Sequence, residues 1–254
     1  MLKEGQPISS IERELRFRSW CETAGVKLWA FDLDGTICDT RGVFRQAMSR
    51  TYDFLNLSIP TVLRGEWETV VENINDRLFE QYGVNPKRWI HVVDELAQKY
   101  GLAEVISGQA KEILASIYTT PVVWTQGAEA GLQFIKRAGG SMGIVTHAGH
   151  EWTWMKYKWL ALYRFVDWDD VFLVDENSHK TTKSWQEAFR FMNVHPNEVA
   201  VVGDSPRSDI NPALEAGVKH CFLVETDLWS VHNQPVGPQV IKIRQLTEIP
   251  DRVI

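Results

Sequence analysis

Cysteine is scarce in this chain of 254 residues: there are three, Cys21, Cys38 and Cys221, and none in a C-x-x-C spacing. The odd count argues against a disulfide framework, the spacing argues against a cysteine-pair zinc site, and both fit a reducing compartment. Long hydrophobic runs are lacking as well. No window approaches eighteen apolar residues, so no transmembrane helix is expected. Positive charge is not in excess; the net charge is −6 and the isoelectric point about 5.7. Such a balance gives no general attraction for nucleic acid or an anionic membrane, so an anionic substrate must be held locally, by a metal or a few placed cations. Residues 1–7 lack the apolar core of a signal peptide, and a cytoplasmic location is expected. Gly139-Gly140-Ser141-Met142-Gly143 is no dinucleotide fingerprint, because it precedes a predicted strand instead of following one.

What is present reads as an ordinary globular chain, 44% hydrophobic and 24% charged, long enough for a sizeable core. The eleven tryptophans are expected mainly to pack that core. Ser9-Ser10-Ile11-Glu12 resembles a capping box, and it starts a helix running to about Trp20. Leu28-Trp29-Ala30-Phe31 is a short apolar run that predicts a buried strand. Between about Arg41 and Thr119 apolar residues recur at helical spacing in four groups: Phe44 to Leu55, Trp67 to Leu78, Trp89 to Tyr100, and Ile106 to Ile117. Gly83 and Gly101 mark boundaries between them, and no strand is legible there. From Pro121 onward, helices alternate with apolar runs at 141–146, 171–174, 199–204 and 221–224. That alternation predicts a Rossmann-like, doubly wound parallel α/β sheet, covered on both faces, with residues 41–119 inserted as a helical domain. The expected organisation is a core of residues 1–40 and 120–254 and an insert of 41–119.

The chemistry-bearing residues fall just past the predicted strands, where open α/β sheets bind ligands. They are Asp32 and Asp34; Thr146; Lys180 and Lys183; and Gly203-Asp204 with Asp209. Carboxylates at the end of a buried strand need a compensating charge. Each cluster alone is weak, since a Gly-Asp pair is usually a turn and a lysine before a helix is usually a solvated charge. Their order and matching positions make the set specific.

That set resembles the haloacid dehalogenase (HAD) superfamily of phosphohydrolases. Asp32-Leu33-Asp34-Gly35-Thr36 matches its D-x-D-G-T motif and Thr146 its strand-ending Thr or Ser. Lys180 or Lys183 matches its lysine, and Gly203, Asp204 and Asp209 match its acidic motif. The insert resembles the helical C1-type cap of subfamily I.

The resemblance implies a Mg²⁺-dependent phosphatase acting on a small phosphorylated metabolite through an aspartyl-phosphate. Asp32 would be the nucleophile, and Asp34 the general acid and then base. Thr146 would hold the phosphoryl oxygens, with His147 a candidate substrate contact. The lysine would neutralise charge. The metal would be bound by Asp32, the Asp34 carbonyl and Asp204, with Asp209 a ligand through water or an orienter. Lys180 is favoured over Lys183 by its spacing to Gly203-Asp204.

A carboxylate at position 34 separates the chain from true dehalogenases of the family. A phosphomutase, a catalytically inactive binding protein of the same fold, and a phospho-acceptor receiver module are the alternatives. The receiver is about half this length and has no cap. On the aromatic helix near 151–162, Trp152 and Trp159 are expected to face the sheet and Trp154 to lie nearer the cap. The substrate and the oligomeric state are not legible.

Overall fold

The computed structural model describes residues 9–226 and 234–254. Its centre is β1 (Leu28–Phe31), buried along its whole length. Alternate residues of β1 enter opposite layers. Leu28 and Ala30 join a cluster with Trp185, Phe189 and Ile210, while Trp29 and Phe31 join one with Phe17, Leu132 and Ile135. Burial on both faces explains why the strand reads as an unbroken apolar run instead of an alternating one.

Six parallel strands form the sheet, in the order β3-β2-β1-β4-β5-β6. They are β1, β2 (Ser141–His147), β3 (Val171–Val174), β4 (Val199–Gly203), β5 (His220–Val224) and β6 (Ile241–Ile243). The chain first builds outward from β1 through β2 and β3, then returns to the other side of β1 with β4. The direction reverses between β1 and β4, which opens a crevice at their carboxyl ends. In register, Phe31 pairs with Ile144 on one side and Val202 on the other. The residues that follow these three strands therefore converge. β6 was not anticipated from sequence; with three residues it carries too little pattern to read.

The first layer holds α1 (Ser10–Ala24) and α6 (Ala128–Arg137). Ser9 caps α1 by accepting from the Glu12 N–H at 3.2 Å. Phe17 of α1 stacks on Trp29 at 5.3 Å and meets Phe134 edge-on at 5.3 Å. Burying two such rings stabilises the layer by about 2–3 kcal/mol each. The opposite layer is made by α8 (Thr182–Phe191) and α9 (Asn211–Glu215). α10 (Ile249–Val253) contacts α1.

Between β1 and β2 the chain forms α2 (Thr40–Ser58), α3 (Arg64–Tyr82), α4 (Lys87–Tyr100) and α5 (Glu104–Ala115), then a 3₁₀ turn Ser116–Tyr118. No strand interrupts this stretch, and its apolar faces continue the Trp29 layer. The chain leaves and re-enters the core beside itself. The Asp39 N–H donates to Val123 O at 2.8 Å and the Thr125 N–H to Ile37 O at 2.9 Å. No helix among the described residues is long and apolar enough to cross a membrane.

Candidate active site

Just past β1, the Asp32 N–H still pairs with Val202 O of β4 at 2.9 Å, which holds its side chain beside the end of that strand. The chain then coils tightly, with the Ile37 and Cys38 N–H groups both on Leu33 O. Gly35 sits in this coil at φ +83, and any Cβ there would collide with the carboxylate of Asp204 and the guanidinium of Arg41. Glycine is required by both conformation and space. A second close approach occurs at Gly203, where a Cβ would overlap the Asp209 side chain.

Asp32, Asp204 and Asp209 are buried together, each offering a carboxylate oxygen within 4.8 Å of the others. Asp209 lies in the π-helical turn Pro206–Ile210 between β4 and α9. Its Oδ2 accepts from the Ser205 N–H at 3.0 Å. Lys180, whose side chain is 1% exposed, enters from the loop before α8. Its three donors reach Asp32 Oδ1 at 2.8 Å, Asp209 Oδ1 at 2.6 Å and Val145 O at 2.7 Å, so the ammonium is fully satisfied. Removing this shared cation, which leaves the carboxylates buried without their partner, typically costs about 3–5 kcal/mol. Arg41 of α2 binds Asp204 and also donates to Thr226 Oγ1 at 2.6 Å.

Burial pushes the Asp32 carboxyl well above its ordinary value, the Asp209 charge adds to this, and Lys180 opposes it. For the same reasons Asp204 is pushed up to about 7, with Arg41 opposing. Burial alone would lower Lys180, but Asp209 and Asp32 outweigh it and hold the ammonium above its ordinary range. The cluster is thus short of positive charge. If all three carboxylates are ionised, the two cations that pair with them among the described residues, Lys180 and Arg41, leave one negative charge. A divalent cation reverses that sign.

Asp34 is placed differently. Its carboxylate is not part of the Asp32–Asp204–Asp209 cluster and is held by Lys156 of α7 (His150–Trp159), with Nζ 2.7 Å from each oxygen. Thr146, at the end of β2, is fully buried, and its hydroxyl has no hydrogen-bond partner among the described residues. A buried unpaired hydroxyl is costly, and this one is available to an incoming acceptor.

Of the residues proposed from sequence, the fold brings Asp32, Asp204, Asp209 and Lys180 into one cluster, whereas Lys183 lies apart from it. Lys183 is 81% exposed and 3.8 Å from Glu187 on the surface of α8. It falls in the first turn of a helix whose inner face is taken by Ser184, Trp185 and Ala188, so it points away from the carboxylates. The tryptophan expectations are also corrected. Trp152 faces the inserted helices, against Phe44 at 6.2 Å and Tyr118 at 4.8 Å, whereas Trp154 packs on Tyr157 and Trp168. Two functional-looking cations, Arg41 and Lys156, escaped sequence reading. Lys156 carried a signal: it shares the inner face with Trp152 and Trp159 at helical spacing, where a lysine has no solvent.

His147 is largely buried, and its Nε2 has no hydrogen-bond partner among the described residues. Burial, with Lys180 and His179 nearby, pushes it down to about 4 from an ordinary 6.5. Its stabilising contribution is complete above pH 6.5 and is lost as pH falls through about 4. His147→Gln is therefore expected to narrow the stability loss on acidification. Comparing urea unfolding at pH 7.5 and pH 4, wild type should lose up to about 3 kcal/mol more than the variant. Asp204 contributes the opposite slope, but it does so in both proteins, so it cancels in the comparison.

The insert meets the core beside this site. Gly83, which ends α3 at φ +55, approaches the backbone carbonyls of Glu176 and Ser178 too closely for any Cβ. The Asn85 amide donates to Asn177 Oδ1 at 2.6 Å and Glu176 Oε1 at 3.2 Å. Arg207, two residues before Asp209, pairs with Glu80 of α3 at 2.9 Å.

A parallel sheet with a carboxylate cluster at its topological switch point, a buried lysine and a strand-ending threonine defines a Rossmann-like hydrolase core. The family model "Haloacid dehalogenase-like hydrolase" matches residues 29–223, and the chain belongs to that family. It is 26% identical over 239 residues to the glyceraldehyde 3-phosphate phosphatase of Pyrococcus furiosus, covering 89% of this chain and 94% of that protein. Among solved structures it is similar to a haloacid dehalogenase-like family hydrolase from Xanthomonas campestris (TM-score 0.73, 15% identity, 90% of this chain and 91% of that one). It is also similar to the HAD-hydrolase YfnB from Bacillus subtilis bound to magnesium (TM-score 0.67, 18% identity, 90% and 98%).

Proposed function

We propose that the protein is a Mg²⁺-dependent phosphatase that hydrolyses a small phosphorylated metabolite through an aspartyl-phosphate. The observation that carries this is the unlike placement of two carboxylates one residue apart. Asp32 lies inside the buried acidic cluster, whereas Asp34 stands outside it on its own cation.

Mg²⁺ suits the cluster because it takes oxygen ligands and keeps waters. Asp32, the Asp34 carbonyl and Asp204 would hold it. Asp209 has both oxygens engaged, by Lys180 and the Ser205 N–H, and serves to orient the set. When bound, the cation neutralises the carboxylates and the phosphate so that like charges can approach.

An oxygen of Asp32 attacks phosphorus, and the bond to the leaving oxygen breaks as the Asp34 carboxyl protonates that oxygen. The Thr146 hydroxyl, unpaired among the described residues, donates to a phosphoryl oxygen, while Lys180, its three donors already engaged, holds Asp32 in place and adds its positive charge to the site. Asp34, now a carboxylate, takes a proton from water as it attacks phosphorus. The Asp32–phosphorus bond then breaks and phosphate leaves.

Residues 41–119 act as a cap over this site, against a core of residues 1–40 and 120–254. The three free cysteines suit a reducing cytoplasm. The relative named for glyceraldehyde 3-phosphate supports a small phosphorylated metabolite as substrate.

The test is hydrolysis of p-nitrophenyl phosphate by the purified protein with and without MgCl₂. Magnesium-dependent release of p-nitrophenol is expected, and an inert protein across divalent salts sinks the reading. Asp34→Asn is expected to lower kcat/KM for phenyl phosphate by about 10²–10⁴-fold, measured by phosphate release. A near-normal rate would place the acid elsewhere.

A further inference from the structure

We infer that Lys156 is a positioning residue that sets the orientation of the Asp34 carboxyl toward the leaving group. The inference rests on the phosphatase reading above.

Lys156 is a lysine with no solvent: its side chain is 0% exposed. Its Nζ lies 2.7 Å from both oxygens of Asp34 and 3.7 Å from the centre of the Trp152 ring. The ammonium is therefore clamped between a carboxylate and a π face, a geometry in which neither side chain can turn without losing charge contact. Asp34, by contrast, is 26% exposed and follows β1 in a coil. Its other side-chain contact among the described residues is a weak one from Cys38 Sγ at 3.5 Å. Among the described residues, Lys156 is the cation that holds it.

Burying an ammonium to form one ion pair is a poor way to gain stability, since a packed apolar side chain does as well. It is a good way to fix both oxygens of a carboxyl group that must meet a leaving oxygen in one orientation, where a displacement of about 1 Å costs about 10²-fold in rate. Trp152, which supports the ammonium, touches Phe44 in α2 and Tyr118 after α5. Those residues lie where the helical insert departs from the core and returns. The orientation of Asp34 is thus braced from both the core and the insert.

The test exploits leaving-group dependence. p-Nitrophenolate departs readily without a proton, whereas phenolate depends strongly on an acid. With MgCl₂ present, Lys156→Met is expected to lower kcat/KM for phenyl phosphate about 10- to 100-fold while changing that for p-nitrophenyl phosphate less than about threefold. Equal losses on both substrates, or no loss on either, would overturn the inference. In the double variant Asp34→Asn/Lys156→Met, the phenyl phosphate rate should match that of Asp34→Asn alone, because Lys156 acts through Asp34; multiplied losses refute it. Thermal unfolding establishes that each variant is folded. If Lys156→Met does not fold, Lys156→Gln is read by the same substrate ratio. Wild type inactive on both substrates would defeat the phosphatase reading itself. An active wild type with an unchanged ratio in the variant would defeat this inference alone.

Discussion

Asp32→Asn should reduce magnesium-dependent hydrolysis of p-nitrophenyl phosphate by at least about 10³-fold, because the variant lacks the attacking carboxylate. The size of the effect follows from the placement of the residue. Asp32 is the cluster carboxylate at the end of β1, and its Oδ1 is bound to Lys180 at 2.8 Å. An asparagine keeps an oxygen for that hydrogen bond but carries no charge to attack phosphorus. Folding should survive, since Lys180 keeps Asp209 and Val145 O. The sign of the stability change is also set. Burial raises the Asp32 pKa, so its contribution to stability is present below the ordinary 3.8 and is lost as pH rises above it. In EDTA at pH 7.5 an uncharged residue at position 32 should therefore melt at or above the wild-type temperature. The two measurements, phosphate release and calorimetric melting, separate lost chemistry from lost fold. A rate near wild type would remove Asp32 from the role of nucleophile.

Withdrawal of the divalent cation should have a comparable effect. EDTA is expected to abolish turnover, and MgCl₂ to restore it. Without a cation the carboxylates, when ionised, outnumber their cationic partners among the described residues, and a phosphate dianion is repelled from them. The same deficit predicts stabilisation by the cation alone. At a free concentration about 100 times its dissociation constant, MgCl₂ should add about 3 kcal/mol, or roughly 6–12 °C in Tm for a chain of this size. Asp204→Asn should lose most of that thermal shift, measured by scanning calorimetry without substrate. An unchanged shift in this variant would place the cation outside the cluster.

The fold was legible where burial leaves a local trace. β1 and β4 are covered on both faces, so they read as apolar runs; the four inserted helices bury one face, so they read at helical spacing. β6 has three residues and left none. Of the two lysines three residues apart, Lys180 lies in the loop facing the sheet ends and Lys183 in the first turn of α8. Spacing alone favours the first only weakly, whereas the geometry separates 1% from 81% exposure. Contrary to expectation, Trp152 meets the inserted helices and Trp154 packs on Tyr157 and Trp168, because helical period assigns two faces without saying which neighbour each face meets. Lys156 and Arg41 were missed because their partners, Asp34 and Asp204, are 122 and 163 residues away.

The sequence by itself determined the kind of groups present and their place at strand ends: a D-x-D-G-T run, a threonine, a lysine and an acidic pair in that order. Those features are local, because a strand, its glycine turn and the polar residue after it depend on a few neighbouring side chains. Only the tertiary structure decided which charge answers which. The return of β4 to the free side of β1 puts Asp204 and Asp209 beside Asp32 and under Lys180, while α7, following β2, delivers Lys156 to Asp34. Side-chain proximity across a sheet is set by strand order and register, and neither is encoded in any short window of the chain.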